Sequence, residues 1–387
     1  MTPPRPARET SPAATSAAER ILLVRLSHLG DVVHALPVYH ALRRAHPGAR
    51  LAWAVQPEFH GLLAHLPGCE RLVSFGRDRG PGAWLGLRRE LAAFDATWAV
   101  DCQGNWKSAV ATRLSGAPRR SGLAAAEWRE SSARFLVPDR PAQPAAGLHA
   151  VDRMLHLAAH LVPGAWPTPE TARAEGAFDL GLPEELLAQG RGAAREQLDD
   201  AGSGPPVILA LGRAGDPRSW SLTNSADLVA QLAAAGRRVL VLSGPAEADQ
   251  GRALATTLEG RDLGVAPAHW IDQRGLAELA AYLAGAAELG ALFVGADSGP
   301  MHLAWAMGLE VLGLAGPQDP RRTGPWPVPR ELAGRHGAPS PHRVLTSAEA
   351  LTCRPCLART CSLSRGPVCL DDLGADQVAE AVLAPRP

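Results

Sequence analysis

The stretch Gly295-Ala296-Asp297-Ser298-Gly299-Pro300-Met301-His302 carries the reading of the fold. The apolar run 291–294 reads as a short buried strand. The pattern Leu303, Ala304, Met307, closing at Gly308, reads as a helix opened by Pro300. A strand that passes through a tight Asp-Ser-Gly turn into a helix aims unpaired N–H groups and the positive end of the helix dipole at one point. Such a point suits a phosphate, and proline in the first helical turn gives up no helical bond. An ordinary N-cap is the plainer account of Asp-Ser-Gly taken alone. The choice rests on the remainder of the chain.

Outward from that turn, strands and helices alternate almost throughout, the pattern of α/β proteins with parallel sheets. The second half reads as strands at 207–211, 238–243, 291–294 and 311–314, with helices at 222–235, from 247, and at 276–287. The first half reads as strands at 21–26, 51–55, 71–75 and 97–100, with helices at 32–45, 59–66, 84–94, 107–114 and 150–161. A proline- and alanine-rich loop spans 138–147, and 163–206 mixes turn residues with one polar helix, 184–199. This order predicts a tail at 1–19, a first Rossmann-like domain at 20–165, a linker at 166–205, a second Rossmann-like domain at 206–345, and a cysteine-rich segment with a terminal helix at 346–387. Two such halves with their parallel sheets facing a central cleft would bind substrate between them. Neither half carries a complete dinucleotide fingerprint or a Walker loop, which argues against NAD enzymes and ATPases.

Composition narrows the class further. The 387 residues balance 39 basic against 39 acidic side chains, with a pI near 7.2, so the basic excess of a nucleic-acid binder is missing. Lys107 is the only lysine, and the Ala/Gly/Pro-rich, arginine-biased usage is that of a GC-rich genome. The first 19 residues are Pro/Ala/Ser/Thr-rich, lack the apolar core of a signal peptide and read as disordered. The longest apolar candidate, 280–296, is interrupted by Glu288. A cytoplasmic enzyme is the expectation.

In the first half, Ser27-His28-Leu29-Gly30-Asp31 joins the first strand to its helix. Gly30 there permits a backbone that a side chain resists. Asp31 is placed to cap the helix, or to face the cleft and take a proton from a substrate hydroxyl, ionised by the helix end beside it. Near the C-terminus, Cys353, Cys356, Cys361 and Cys369 have spacing compatible with a structural tetrahedral zinc, with reduced thiols as the alternative. Cys69 and Cys102 read as core. His156 and His160 have helical pair spacing without the glutamate of a zinc protease, and no nucleophile elbow supports a hydrolase.

Taken in order, RILLVRLSHLGDVVHALP, DCQGNWKSA, HAVDRM, GADSGPMHLAWAMG, GPQDPRRTGPW and the CRPC tail resemble the bacterial lipopolysaccharide heptosyltransferases across most of the chain. The resemblance implies a GT-B architecture, with acceptor on the first domain and nucleotide sugar on the second. It implies metal-independent, inverting transfer of heptose from ADP-heptose to the lipid A-linked inner core (Kdo- or heptosyl-Kdo-lipid A), at the inner face of the cytoplasmic membrane. By motif, Asp31 matches the general base, and Asp297, Ser298, Gly299 and His302 match the donor turn. Arg218, with Arg213 as competitor, falls near the donor phosphates, and Glu247 near the nucleoside. Ser27, Gly30, Arg120 and Arg129 are the expected acceptor contacts, the two arginines within a run that also holds Arg113, Arg119 and Arg134. The cysteine tail tilts the resemblance toward the enzyme that adds the second heptose. Alternatives are a family member using another nucleotide sugar or glycan, a nucleotide-sugar epimerase on the same fold, and a binding protein that keeps only the seat.

Overall fold

The computed structural model describes residues 19–76, 80–147, 149–198, 204–261, 263, 268–271, 275–333, 339–347, 351–358 and 360–385. The predicted tail at 1–19 lies, except for Glu19, outside the described residues. The first sheet comprises β1 (Arg20–Val24), β2 (Arg50–Val55), β3 (Cys69–Ser74), β4 (Trp98–Asp101) and β5 (Arg119–Gly122), in the order β3-β2-β1-β4-β5. The second comprises β6 (Val207–Ala210), β7 (Val239–Ser243), β8 (Ala268–Ile271), β9 (Leu292–Ala296), β10 (Glu310–Ala315) and β11 (Arg343–Thr346), in the order β11-β10-β9-β6-β7-β8. All the pairings are parallel. Both orders are that of the doubly wound fold, and each reverses direction beside its first strand. The reversal opens a crevice at the carboxyl ends of β1 and β4 in one sheet, and of β6 and β9 in the other. The α/β expectation holds.

Local chemistry explains the central strands. Ile21, Leu22, Leu23 and Val24 are fully buried, as a strand covered by helices on both faces must be. Three strands escaped the sequence reading: β5, β8 and β11. β5 reads Arg-Arg-Ser-Gly, an edge strand whose apolar support comes from outside itself, with the Arg119 guanidinium 3.6 Å from the Trp98 ring centroid. The expected helix at 59–66 is instead a 3₁₀ turn, Pro57–Phe59, followed by one helical turn, His60–Leu63. The stretch expected as a linker contains two helices, Pro169–Ala174 and Glu184–Leu198. The second lies against the Leu276–Glu288 helix at glycine distance: a Cβ on Gly190 would come 2.3 Å from the Ala281 carbonyl carbon. The terminal helix Ala375–Leu383 covers the Leu222–Ala234 helix and shares its core, while Trp220 Nε1 donates to the Leu373 carbonyl at 2.8 Å.

The two sheets meet through the helix Leu29–Ala45, which packs on the Ala150–Leu161 helix and on the Gly299–Ala306 helix of the second half. A single apolar cluster includes Leu36 and Trp53 from one side and Met301 and Trp305 from the other. Contact at the seam is close enough to exclude side chains. A Cβ on Gly30 would fall 2.2 Å from His302 Cδ2, and one on Gly299 would fall 2.8 Å from Leu29 Cβ. The left-handed backbone expected at Gly30 belongs to His28 (φ 67°), so Gly30 serves by leaving room for a ring. Among the described residues no helix is long and apolar enough to cross a membrane.

Candidate active site

β9 delivers Asp297 and Ser298 to the seam. The helix begins at Gly299, with Ser298 as an extended N-cap whose side chain makes no capping bond, and Pro300 is its second residue. Its first-turn N–H groups are therefore left without the usual side-chain partner. The Asp297 carboxylate is held at both oxygens: Oδ1 lies 3.0 Å from His302 Nε2, and Oδ2 accepts from Thr323 Oγ1 at 2.8 Å. His302 in turn places Nδ1 3.1 Å from Nε2 of His34 on the opposite domain. Burial, with His302, His149 and Arg25 nearby, holds the His34 imidazole well below its usual pKa. His149 is pushed down to about 3, again chiefly by burial. His34 and His149 are therefore neutral at the seam.

Asp31 does not cap the helix; it sits in its first turn, behind His28. Its Oδ1 pairs with Arg25 Nη2 at 2.5 Å, and Arg25 also donates to the Cys102 carbonyl. A cavity of about 630 Å³ opens beside it, lined by residues that include Arg25, Ser27, Asp31, Lys107, Arg129 and Arg153. Arg322 and Thr323 reach the same cavity from the second half. Burial, followed by the like charge of Arg322, lowers the Arg153 pKa. Among the described residues neither Arg153, Arg322 nor Lys107 has an ion-pair partner. Unpaired guanidiniums converging on a cavity suit an anionic ligand.

The structure sorts the sequence expectations. Ser27, Asp31 and Arg129 line the cavity, while Gly30 supports it from the seam. Arg120 does not reach it: its guanidinium donates to the Leu136 and Ala117 carbonyls and organises the chain around β5. Asp297, Ser298, Gly299 and His302 form one turn as expected. Arg218 is gripped by Asp216 through two side-chain bonds of 2.9 and 2.5 Å, and Asp297 is near enough to add to the rise in its pKa. Glu247 follows β7 and faces Arg213 at 3.6 Å, so the two residues are held as a pair after neighbouring strands. Cys353, Cys356 and Cys361 are exposed and Cys369 is buried. Their sulfurs lie near enough for the other three to add to the burial that raises the Cys369 thiol, yet among the described residues no three His, Cys, Asp or Glu side chains form a metal-holding group. His160 meets Asp139 at 3.0 Å and His156 a backbone carbonyl, neither of them paired to the other.

Sequence reasoning missed His34, Arg25, Lys107, Arg153, Arg322 and Thr323. All of them lie in the segments that carried the resemblance, so the signal was present as motif and absent as role.

Comparison with known proteins agrees with this geometry. The family model described as glycosyltransferase family 9 (heptosyltransferase) matches residues 84–361. The chain belongs to glycosyltransferase family 9. It is 31% identical to lipopolysaccharide heptosyltransferase 1 of Pseudomonas aeruginosa, over 89% of this chain and 87% of that protein. It is 27% identical to the protein of the same name from Salmonella typhimurium, over 78% and 89%. Among solved structures, the E. coli heptosyltransferase WaaC with ADP superposes with a TM-score of 0.58 at 25% identity, covering 78% of this chain and 89% of that one. Both of these curated relatives bear the name lipopolysaccharide heptosyltransferase 1.

Proposed function

We propose that this family 9 enzyme transfers heptose from ADP-heptose to a lipid A-linked inner-core acceptor with inversion, and that the acceptor is Kdo-lipid A. The observation that carries the reading is the opposition, across one seam, of an open helix N-terminus at Ser298–Gly299 and a carboxylate, Asp31, at the edge of a cation-lined cavity. The helix end would hold the diphosphate and offset the charge that builds on it as the anomeric bond breaks. Arg218 would add a cation there, Glu247 would accept from the ribose hydroxyls, and Asp297 would meet the sugar hydroxyls. Asp31, on the other domain, would take the proton from the attacking hydroxyl, which approaches the face away from the diphosphate and inverts the centre. Arg129, Arg153, Arg322 and Lys107 would hold the acidic acceptor sugar.

Peripheral attachment to a bilayer fits the exposed aromatics of the first half. Phe135 is 73% exposed beneath the Arg134 guanidinium, and Trp106 is 46% exposed at the cavity rim. Exposed aromatics among arginines suit a lipid interface.

The test is transfer from ADP-heptose to Kdo-lipid A and to heptosyl-Kdo-lipid A, wild type beside Asp31→Ala. Acceptor-dependent ADP release with Kdo-lipid A, lost in the variant, is the expected result. Release with heptosyl-Kdo-lipid A alone would move the acceptor one sugar outward. Consumption without any acceptor would replace transfer by epimerisation or hydrolysis.

A further inference from the structure

Among the described residues Nδ1 of His34 is buried without a hydrogen-bond partner, and Asp31 Oδ1 stands 3.9 Å away. Buried polar atoms are nearly always satisfied, so an orphan this close to the presumed base calls for an explanation. The neighbouring bonds fix the protons. Trp305 Nε1, which can only donate, points at His302 Nδ1 at 3.4 Å. His302 Nδ1 is therefore an acceptor, and its proton sits on Nε2, directed at Asp297 Oδ1. His34 Nε2, 3.1 Å from His302 Nδ1, must then carry the proton of that contact. What remains on His34 is a bare Nδ1 lone pair facing Asp31.

We propose that His34 and His302 carry the proton taken up by Asp31 across the domain seam to Asp297. The inference rests on the transfer reaction proposed above. In that reaction the acceptor O–H bond breaks, a C–O bond forms at the anomeric carbon, and the electron pair of the old C–O bond leaves with the diphosphate. One proton is left on Asp31 while negative charge grows on the other domain. A protonated Asp31 no longer pairs with Arg25, so its oxygen is free to close the gap of about 1 Å that separates it from hydrogen-bond distance to His34. Asp31 then gives its proton to His34 Nδ1, His34 Nε2–H passes its proton to His302 Nδ1, and His302 Nε2–H passes its proton to Asp297. Three protons each move along one contact, and both imidazoles end neutral as the other tautomer. The chain needs no lasting imidazolium in a buried site that disfavours one. His34 lines the cavity beside Asp31 and acts here as a positioning and relay residue.

The experiment is single-turnover transfer in mixtures of H₂O and D₂O, for wild type and for His34→Gln. Glutamine can donate to His302 but cannot take a proton on one atom and release it from another. Wild type is expected to show a curved dependence of rate on deuterium fraction, the mark of several protons in flight. His34→Gln is expected to be slower by about 100-fold or more, the scale of a lost general acid–base step, with a linear dependence and an unchanged KM for ADP-heptose. A linear wild-type plot overturns the relay whatever the variant does, even if the variant fails to fold. An undiminished rate in folded His34→Gln overturns it too, as does a loss matched by a rise in the KM for ADP-heptose. Failure of wild type to transfer at all removes the proposed function, and the relay with it; failure of the relay alone leaves transfer standing.

Discussion

Strand β4 of the first sheet and β9 of the second hold the same place beside the central strand, and each leads through an aspartate into a helix. In the first half Asp101 turns inward: it is fully buried, and its Oδ1 accepts from the N–H groups of Gln103 and Gly104. The following helix, Trp106–Leu114, is closed by Asn105, which forms a reciprocal capping box with Ser108. In the second half Asp297 turns outward to His302 and Thr323, and Ser298 leaves its helix uncapped. One aspartate stabilises its own turn; the other reaches out to His302 and Thr323 and is the one proposed above to meet the donor sugar. A capped helix end and an open one thus mark the two corresponding strand ends of the same scaffold apart, and only the open one leaves N–H groups for the proposed diphosphate.

That contrast can be broken or sharpened by substitution. The largest effect is expected at Asp31→Ala, with the transfer rate down by about 10²–10⁴-fold while ADP binding, followed by calorimetry, persists. Next, Asp297→Asn and Asp101→Asn should behave oppositely. The first is expected to weaken ADP-heptose binding by about tenfold or more through loss of a charged acceptor. The second should leave binding intact, because an amide oxygen still accepts from Gln103 and Gly104; equal loss of donor binding in both variants would erase the distinction. Arg153→Ala should raise the KM for acceptor by about tenfold and leave that for donor unchanged, which steady-state kinetics with each substrate varied can show.

The smallest effect is one of pH on stability. Burial pushes the Asp101 carboxyl up to about 6, so the folded chain holds this proton more tightly than the unfolded one. Its contribution is full below the unfolded value of about 4 and is lost as pH rises through about 6. Buried His34 and His149 act in the opposite sense: their depressed pKa values cost stability as pH falls below about 6.5. The difference in melting temperature between Asp101→Asn and wild type isolates the carboxyl. It should grow in favour of the variant from pH 4 to 6; a flat difference would deny the raised pKa.

How much could be read beforehand follows from where each signal resides. Strands β1, β6 and β9 are apolar along their length, and the donor turn is a contiguous run, so both were legible in the sequence. Strands β5 and β11 carry arginines at sheet edges, where alternation and hydrophobicity fade. Asp31 was legible as a candidate because its loop sits at a strand end. The Asp31–His34–His302–Asp297 line was not, since its middle link joins residues 268 apart in the chain. Arg120 shows the converse failure: sequence proximity to other arginines suggested a ligand, whereas the folded chain uses its guanidinium on backbone carbonyls.

The missing Cβ at Gly30, whose place is filled by the His302 ring, ties together two positions that belong to different domains. Neither residue can drift alone, since any side chain at 30 must wait for a smaller one at 302. The two halves therefore have to be altered at these positions as a matched set. A chimera that grafts a foreign second half onto this first domain would have to respect that fit before its substrate preferences could matter.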